Sequence, residues 1–561
     1  MIETRTTKFA TTNLNFNGPQ SSPRLSQANY YHPFTPNKIF ETMNTLGTIL
    51  WCDDEIELLK PHLMFLSEKG YQIIEASNGI DAIEKSNTNN IDVIFLDEQM
   101  PGLSGLETLS RIKTLHPTIP VVMITKNEEE NLMEEAIGAQ ISDYLIKPVK
   151  SNQILHTLKK ILESRQLISS KTTSDYQKEF QQIMAQMSNG LNQQEWGDLY
   201  RKLIYWELEL DKSKSNDMRD VLNMQKSEAN SEFCKFVSKN YIKWLNKPDE
   251  SAPTLSHTLM REKVLPFISE EVPTFFVLID NLRFDQWKMI QPLLSENFRV
   301  SSEDHFYSIL PTSTQYSRNA IFAGMTPLDI EKKFPNYWLN DEEEGGKNLH
   351  EQDFLSDLII RSKKDIKFSY TKITNSIDGN KMVDNIHNML QNPLNVIVYN
   401  FVDLLSHART EMQVLKELAN DETSYRSLTL QWFTPSPLYQ ALLKLSEKKI
   451  NLIITTDHGS IRVKEPVKVI GDRETTTNLR YKHGRNLNYN PRDVFEVRNP
   501  HDAKLPKPHI SSSFIFAKED SFFVYPNNYN YHVNHFRNTF QHGGLSIEEM
   551  LCPVVRLTSK G

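Results

Sequence analysis

Hydrophobic and polar positions divide most of the chain into two blocks in which short apolar runs alternate with helical periods. The first block extends from Thr48 to about Arg165. Strands that alternate with helices in this way predict parallel βαβ units, with helices on both faces of a doubly wound sheet. The strand candidates of this block are TILWCDD, YQIIEAS, IDVIFLDE, VVMITK and DYLIKP.

The second block begins at Pro266 and repeats the alternation over the rest of the chain. Its strand candidates are TFFVLID, FRVSSEDHFYSIL, NVIVYNFVD, NLIITTDHG and SSFIFAK. Between the blocks, residues 166–265 carry apolar positions at helical spacing and no strand signal, which predicts a helical connector or a small bundle. The pattern as a whole predicts a multidomain α/β protein.

Residues 1–42 are rich in Asn, Thr, Ser, Gln and Pro and show no sustained period, so we predict a disordered leader. Met43 stands just before the first strand candidate, and both Met1 and Met43 remain open as the translation start. The predicted domains are therefore the leader at 1–42, an α/β domain at 43–165, the connector at 166–265 and a larger α/β domain at 266–561.

Length, charge and cysteine content narrow the class of protein. A chain of 561 residues is too long for a single core, which agrees with several domains. The formal net charge of -8 argues against a surface devoted to nucleic acid. Cys52, Cys234 and Cys552 form no CxxC pair, and no segment has the run of about 18 apolar residues that spans a bilayer. We therefore expect a cytoplasmic protein without membrane insertion.

Carboxylates end two strand candidates of the first domain. Asp53 and Asp54 close TILWCDD, and Asp97 closes IDVIFLD. Ligands of an open parallel sheet gather outside the carboxyl ends of the strands, so these acids are expected to converge. Clustered carboxylates suit a hard cation such as Mg²⁺.

This domain resembles the receiver domain of bacterial response regulators, which has a flavodoxin-like fold. The resemblance rests on the acidic pair, the segment LDEQMPGLSG, the Thr after VVMI and a Lys-Pro pair, all in the family's order. It implies that a sensor histidine kinase phosphorylates Asp97, with Mg²⁺ held by the three acids. It also implies that Thr125 and Lys147 contact the phosphoryl group, that Tyr144 is the switch aromatic, and that the Lys147–Pro148 bond is cis. The alternative is an ordinary flavodoxin-like domain with solvated acids.

The second α/β domain carries a set of side chains that bind metals, together with one threonine hydroxyl. They stand at strand ends or in the loops that follow: Asp280, Thr314, Asp403, His407, Asp457, His458 and His542. Imidazole and carboxylate ligands together favour zinc or manganese over calcium. Two neighbouring ions can clamp the entering and leaving oxygens of a displacement at phosphorus, and a nearby metal or base can activate a threonine hydroxyl.

The order of these groups resembles the PglZ-type branch of the alkaline phosphatase superfamily, which implies an alkaline-phosphatase-like α/β fold. The resemblance implies two zinc ions: one held by Asp403, His407 and His542, the other by Asp280, Thr314, Asp457 and His458. Thr314 is the preferred nucleophile because PTST resembles the PTxT of nucleotide phosphodiesterases, while Thr312 and Ser313 remain alternatives. With the receiver attached, the chain resembles the PorX-like response regulators, which are linked to type IX secretion.

A basic stretch, RETTTNLRYKHGRN, offers Arg480, Lys482 and Arg485 as groups that could guide a polyanionic substrate. A solvated loop is the alternative. This stretch and PTST favour a phosphodiester, such as a nucleotide or oligonucleotide. Sulfatase and mutase chemistry also occur on this scaffold, so the fold does not decide the substrate.

The combined hypothesis is that phosphorylation of Asp97 promotes a homodimer that sets the hydrolase in its productive geometry. A second hypothesis is a regulator that acts through contacts with a sigma factor or a secretion-system regulator, the hydrolase fold serving as a binding platform. A third is a constitutive enzyme whose receiver no longer signals.

Overall fold

The computed structural model describes residues 46–117, 119–126, 141–213, 216–341, 343–405, 421–472 and 475–560. The predicted leader at 1–42 and the predicted ligand His407 lie outside these ranges, so both stay predictions. The chain divides into two compact units, Met1–Leu162 and Glu163–Gly561. No helix in the described ranges is both long enough and apolar enough to cross a membrane.

The first unit is built on a parallel sheet that, within the described part of the chain, has five strands in the order β2–β1–β3–β4–β5. The strands are β1 (Gly47–Cys52), β2 (Tyr71–Ala76), β3 (Val93–Asp97), β4 (Val121–Thr125) and β5 (Asp143–Ile146). The α-helices of its described residues are α1 (Lys60–Glu68), α2 (Gly79–Thr88), α3 (Gly105–Leu115) and the start of α4 (Ser151–Ser188). A 3₁₀ turn, Ile56–Leu59, precedes α1.

Successive side chains of the strands enter two separate cores, one on each face of the sheet. Trp51 and Phe95 pack with residues of α1 and α4, whereas Cys52 and Leu96 pack with residues of α2 and α3. The central strands β1 and β3 are therefore buried on both sides, as expected of a parallel sheet covered by helices. The prediction of a doubly wound, flavodoxin-like domain is confirmed.

The second unit begins with long helices whose apolar faces join the core of the following α/β fold. They are the rest of α4, α5 (Gln193–Ser213) and α6 (Asn216–Asn246). The ring of Tyr200 meets Phe284 edge-on at 6.0 Å between centroids, and Phe233 stacks on Tyr307 at 5.9 Å. The helical connector is therefore not a free-standing bundle. The domain boundary predicted at residue 265 stays a prediction.

A mixed sheet forms the centre of the second unit. The strands of this unit are β6 (Thr274–Ile279), β7 (Phe298–Tyr307), β8 (Phe368–Ile373), β9 (Leu394–Tyr399), β10 (Asn451–Thr455), β11 (Ile461–Arg462), β12 (Glu465–Lys468), β13 (Tyr481–Gly484), β14 (Val494–Val497), β15 (Ser513–Ala517), β16 (Ser521–Val524), β17 (Phe540–Gln541) and β18 (Leu551–Ser559). Among the described residues the central sheet has six strands, in the order β7–β18–β10–β6–β9–β8. The four strands β10, β6, β9 and β8 are parallel, and β18 runs antiparallel to both of its neighbours. The carboxyl ends of β10, β6 and β9 therefore meet at one edge.

Helices cover this sheet, and small sheets extend it. The remaining helices are α7 (Ser256–Leu259), α8 (Phe284–Ser295), α9 (Thr314–Ala323), α10 (Pro327–Lys333), α11 (Glu351–Arg361), α12 (Ser376–Met389), α13 (Glu422–Phe433), α14 (Pro437–Ser446), α15 (Tyr529–Phe536) and α16 (Ile547–Met550), with a π-helical turn at Met260–Val264 and 3₁₀ turns at Leu265–Phe267 and Pro500–Ala503. The small sheets pair β11 with β17, β12 with β16, and β15 with both β13 and β14.

The structure departs from the strand candidates in one place that affects the site. NVIVYNFVD was expected to be a strand up to its Asp, but β9 ends at Tyr399 and residues 401–405 are helical. The chain leaves the sheet at Asn400, whose N–H donates to the last carbonyl of β8 at 3.1 Å and whose side chain binds Arg318. Asp403 therefore lies on a helical turn beyond the strand. β8 and β18 are not among the strand candidates.

The central position of β6 makes its aromatic side chains sensitive to truncation. Phe276 is fully buried and meets Phe322 edge-on at 6.3 Å. Phe276→Ala is expected to lower the free energy of unfolding of the second unit by about 3–5 kcal/mol, because it opens a cavity in the core. Urea unfolding of the full chain measures this loss. The control Ile510→Ala, at a position that is 95% exposed, should change it by less than about 0.5 kcal/mol; similar losses in both variants would contradict the packing described.

Candidate functional site

The acids predicted to converge in the first unit do so. Asp53 follows β1 and Asp97 ends β3, and these strands are neighbours. Carboxylate oxygens of both residues and of Asp54 lie within 4.8 Å of one another. The ammonium group of Lys147 lies 2.9 Å from Asp53 Oδ2 and 2.9 Å from Asp97 Oδ1. Three carboxylates around one ammonium leave excess negative charge, which suits a divalent cation with oxygen ligands.

Burial and ion pairing act in opposite directions on this cluster. Burial raises the pKa of Asp97, and the hydrogen bond from Lys147 offsets part of that rise. Burial on its own would lower the pKa of Lys147, but its hydrogen bonds to Asp97 and Asp53 outweigh that effect and raise it. Lys147 is therefore held as a cation beside the proposed phosphoacceptor.

The other predicted receiver residues surround this cluster. Thr125 ends β4, and its hydroxyl donates to the carboxylate of Glu98. Tyr144 lies on β5 and its side chain is exposed. The Lys147–Pro148 bond is cis, as the resemblance implied. A Cβ atom on Gly105 would clash with the carbonyl oxygen of Asp97, so the first residue of α3 needs to be glycine. The switching roles of Thr125 and Tyr144 stay predictions.

In the second unit, buried groups gather at the edge where β6 and β10 end. Asp280 follows β6, and Asp457 and His458 follow β10; all three are almost inaccessible. Their ligand atoms lie within 4.8 Å of one another. His458 Nε2 is 3.8 Å from Asp280 Oδ1 and 3.9 Å from Asp457 Oδ2. Two carboxylates and an imidazole in this arrangement form a donor set suited to zinc.

Thr314 presents its hydroxyl to this cluster. It is the first residue of α9, and its Oγ1 lies 3.1 Å from His458 Nε2 and 3.4 Å from Asp280 Oδ1. The Thr312 hydroxyl instead forms two hydrogen bonds with the backbone of the loop that follows β17. It donates to Gly544 O at 2.8 Å and accepts from Gly543 N at 3.0 Å. Of these two threonines, Thr314 is the one whose hydroxyl faces the cluster.

A second pair of groups stands beside the first cluster. His542 Nε2 lies 3.4 Å from Asp403 Oδ1, and the His542 ring stacks on His458 at 4.3 Å between centroids. Asn281 Nδ2 donates to Asp403 Oδ1 at 3.3 Å. The structure thus brings together six of the seven groups predicted from sequence, and the seventh, His407, lies outside the described ranges.

The two imidazoles have opposite pKa shifts. Burial lowers the pKa of His458 to about 4, so its ring is neutral at neutral pH. Its Nδ1 lies 3.1 Å from the carbonyl oxygen of Gly459, which can only accept, so the Nε2 lone pair faces Thr314. Burial also acts to lower the pKa of His542, but its hydrogen bond to Asp403 outweighs this and raises that pKa to about 9.

Arg318 belongs to this site and was not among the residues predicted from sequence. It is fully buried, its Nε donates to Asp457 Oδ2 at 2.9 Å, and its Nη2 pairs with Asp280 Oδ2. A spacing of four residues places it on the same helix face as Thr314. This spacing is visible in the sequence and could have identified Arg318 as a site residue, although it does not show that the side chain is buried. The guanidinium supplies the charge that lets two carboxylates be buried together.

The structure corrects one part of the predicted substrate-binding stretch. Arg480 is fully buried, and its Nε and Nη2 donate to the two carboxylate oxygens of Glu549 at 3.1 and 2.6 Å. It therefore holds the loop after His542 and does not face solvent. Lys482 is also buried, donates to Thr476 O at 2.7 Å, and has a pKa lowered to about 8 by burial. Arg485 is partly exposed, 3.5 Å from Asp472.

Comparison with known families matches three consecutive parts of the chain. Residues 49–159 match the response regulator receiver domain. Residues 166–245 match the PorX response regulator linker domain. Residues 259–557, more than half of the chain, match the BREX system PglZ alkaline phosphatase-like domain. The PorX-like combination and the alkaline-phosphatase-like fold expected from sequence are therefore confirmed.

Individual relatives match shorter parts. The transcriptional regulatory protein ZraR of Klebsiella oxytoca is 34% identical over 22% of this chain and 28% of its own length. A cyclic di-GMP phosphodiesterase of Thermotoga maritima is 26% identical over 26% of this chain and 43% of its own length. The chain thus spans less than half of either relative. The solved structure of CheY4 from Vibrio cholerae is 25% identical, covering 20% of this chain and 98% of its own, with a TM-score of 0.20.

Removal of the buried guanidinium tests the electrostatics of the site. Arg318→Met leaves Asp280 and Asp457 without their positive partner, so in EDTA the free energy of unfolding is expected to fall by about 3–5 kcal/mol. A zinc ion bound between the carboxylates would replace the lost charge, so zinc should stabilise the variant more than the wild type. Urea unfolding with EDTA or with zinc measures both effects.

The matched control is Arg299→Met, which removes an exposed arginine of β7. Its free energy of unfolding should stay close to that of the wild type, both in EDTA and with zinc. An equal gain from zinc in wild type and Arg318→Met would contradict the idea that the arginine and a cation share the same carboxylates.

Proposed function

We propose that this chain, which belongs to the PglZ alkaline phosphatase-like family, is a response regulator whose receiver controls a metal-dependent phosphodiesterase. Thr314 is the proposed nucleophile. The observation that carries the proposal is the Thr314 hydroxyl, 3.1 Å from a neutral imidazole and 3.4 Å from a buried carboxylate. A threonine hydroxyl needs such a setting before it can act as a nucleophile.

The donor set fits two zinc ions. Asp280, Asp457, His458 and Thr314 would hold one, and Asp403 and His542, with His407, would hold the other. When bound, zinc supplies Lewis acidity at the phosphoryl oxygens and lowers the pKa of a coordinated hydroxyl. In the receiver, Asp53, Asp54 and Asp97 would hold Mg²⁺.

The chain's own residues fix the nucleophile. Thr314 opens α9, where the helix dipole favours the negative charge of a phosphate group. Asn348 donates to the Thr314 carbonyl at 3.1 Å and holds this turn in place. Thr314 Oγ1 forms a bond to phosphorus as the bond to the leaving oxygen breaks, and water then releases the phosphoryl group from the threonine. Arg318 pairs with both Asp280 and Asp457 and so fixes their positions beside the nucleophile.

The substrate is proposed to be a phosphodiester, such as a nucleotide or oligonucleotide. Because Arg480 and Lys482 are buried, this preference rests on the PTST segment alone, with Arg485 the remaining candidate for contact with a polyanion. The three cysteines are buried free thiols, which suits the reducing cytoplasm in which we place the activity. A link to type IX secretion follows only from the PorX-like organisation of the chain.

Control is proposed to begin at Asp97. A sensor histidine kinase transfers a phosphoryl group to its carboxylate, where Lys147 lies within contact distance. Thr125 and Tyr144 then rearrange, and the altered receiver surface promotes a homodimer.

Substitution of the nucleophile tests the catalytic proposal. In the zinc-loaded full chain, Thr314→Ala is expected to lower the turnover of bis(p-nitrophenyl) phosphate by at least roughly 10³-fold, because no other hydroxyl takes over the attack. Ser313→Ala is the neighbouring control and should retain most of the turnover. A wild type that binds two metals yet turns over mono- and diesters no faster than Thr314→Ala would refute the hydrolase and favour the binding platform.

Phosphorylation is tested through oligomer size. Acetyl phosphate with Mg²⁺ is expected to shift the full chain from monomer towards twice that mass in multi-angle light scattering. Asp97→Ala should stay monomeric under the same treatment, whereas Asp81→Ala, which removes a partly exposed carboxylate of α2 that pairs with Lys85, should behave like the wild type. Identical size distributions with and without acetyl phosphate would contradict phosphorylation-driven assembly.

A further inference from the structure

Charged side chains form a continuous chain from the connector helices to the loops of the candidate active site. The sequence of alternating charges is Lys226 on α6, Glu207 on α5, Arg426 on α13, and then Asp285 and Arg283 at the start of α8; we call these five residues the charge relay. Lys226 Nζ lies 2.7 Å from Glu207, Glu207 lies 2.9 Å from Arg426, and Arg426 lies 3.1 Å from Asp285. Arg283 Nε donates to Asp285 Oδ1 at 3.0 Å.

Burial increases along the relay towards the site. The side chain of Lys226 is 19% exposed, whereas Arg426 is 2% and Arg283 3% exposed. Asp285 bonds both arginines, and Asp211 of α5 makes a further contact of 2.6 Å with Arg426. Lys226, the most exposed of the five residues, borders a cavity of about 320 Å³ that is also lined by Glu422, an ion-pair partner of Arg283.

Arg283 joins three loops that carry candidate ligands. It stands three residues after Asp280. Its Nη1 donates to the carbonyl of Ser460 at 3.4 Å, two residues beyond His458. Its guanidinium carbon lies 5.1 Å from the centre of the Phe540 ring, two residues before His542. A shift of this guanidinium therefore affects the mutual positions of Asp280, His458 and His542.

The connector makes a second, independent contact with the same loops. Asn230 of α6 accepts from Ile547 N at 3.0 Å and donates to Glu548 at 3.2 Å. Gly459, in the loop that carries His458, packs so closely on the Glu548 carbonyl that a Cβ atom there would clash. Two elements of the connector are thus fixed against the loops around His458 and His542.

Stability alone does not explain this arrangement. Buried ion pairs lose hydration when they form, and apolar side chains of similar volume are often as stabilising or more so. What a buried ion network provides is fixed geometry, since each charge must keep its partners.

We propose that the charge relay makes the connector helices part of the catalytic unit, so that the position of α5 and α6 sets the spacing of the loops that carry Asp280, His458 and His542. Its members are positioning residues, since none lies among the candidate ligands. The relay would transmit a displacement of the connector to the rate of phosphoester cleavage. This inference rests on the proposed function of those loops.

The test uses the outer end of the relay in the full-length chain. Lys226→Gln removes the relay's most exposed charge and leaves Glu207 bound to Arg426. Lys202→Gln is the matched control, because Lys202 also lies on a connector helix and pairs with a glutamate at 2.7 Å, but outside the relay. Lys226→Arg keeps the charge and should behave like the wild type. Hydrogen–deuterium exchange is followed in peptides covering 457–462 and 540–549, with 376–389 as the reference.

We expect Lys226→Gln to raise exchange in the two loop peptides at least about fivefold and to lower kcat for bis(p-nitrophenyl) phosphate by a similar factor, with KM and zinc content unchanged. Lys202→Gln should change none of these. Unchanged loop exchange in Lys226→Gln, or an equal rise in the reference peptide, would overturn the relay. If the wild type shows no turnover but loop exchange responds as expected, the relay stands and the hydrolase proposal fails.

Discussion

Two carboxylates and an imidazole are buried side by side where β6 and β10 end. Burial of two neighbouring carboxylates is unfavourable unless a positive charge accompanies them, and the site depends on this constraint. Asp280 and Asp457 would repel each other strongly away from water, and burial raises the pKa of Asp280 well above its usual value even with Arg318 beside it. Arg318 pairs with both carboxylates and offsets part of that repulsion. Since Arg318 stands one helical turn after Thr314, the helix that places the hydroxyl at the cluster also places the countercharge there.

The receiver handles the same constraint with a different cation. Its acids also follow neighbouring parallel strands, β1 and β3, and Lys147 takes the place that Arg318 has in the second unit. Sheets of parallel strands bring such groups together because their carboxyl ends share one edge. The two sites differ in exposure: Asp54 is exposed beside the proposed phosphoacceptor, Asp97, whereas Asp280, Asp457 and His458 are buried.

Much of the fold and of the candidate site could be predicted from sequence. The residues that were missed or misplaced have a common physical explanation. Period and strand ends located the receiver sheet and the groups that directly follow apolar runs, namely Asp53, Asp54, Asp97, Asp280, Asp457 and His458. His542 follows a polar stretch, so its assignment depended on the family resemblance. Arg318 and the charge relay were missed because the relay's partners lie far apart in the chain: Glu207 and Arg426 are 219 residues apart. Arg480 was assigned to solvent for the same reason, since Glu549 stands 69 residues away. The shared core of connector and α/β fold likewise depends on long-range contacts that no local pattern shows.

Anomalous diffraction at the zinc edge, from crystals of the full chain grown with zinc, tests the central claim most directly. Two peaks are expected: one within about 2.0–2.3 Å of ligand atoms of Asp280, Asp457 and His458, the other at the same range from Asp403 and His542. Density maps without an anomalous peak at either position, from a protein saturated with zinc, would contradict the assignment of this cluster as a metal centre around Thr314.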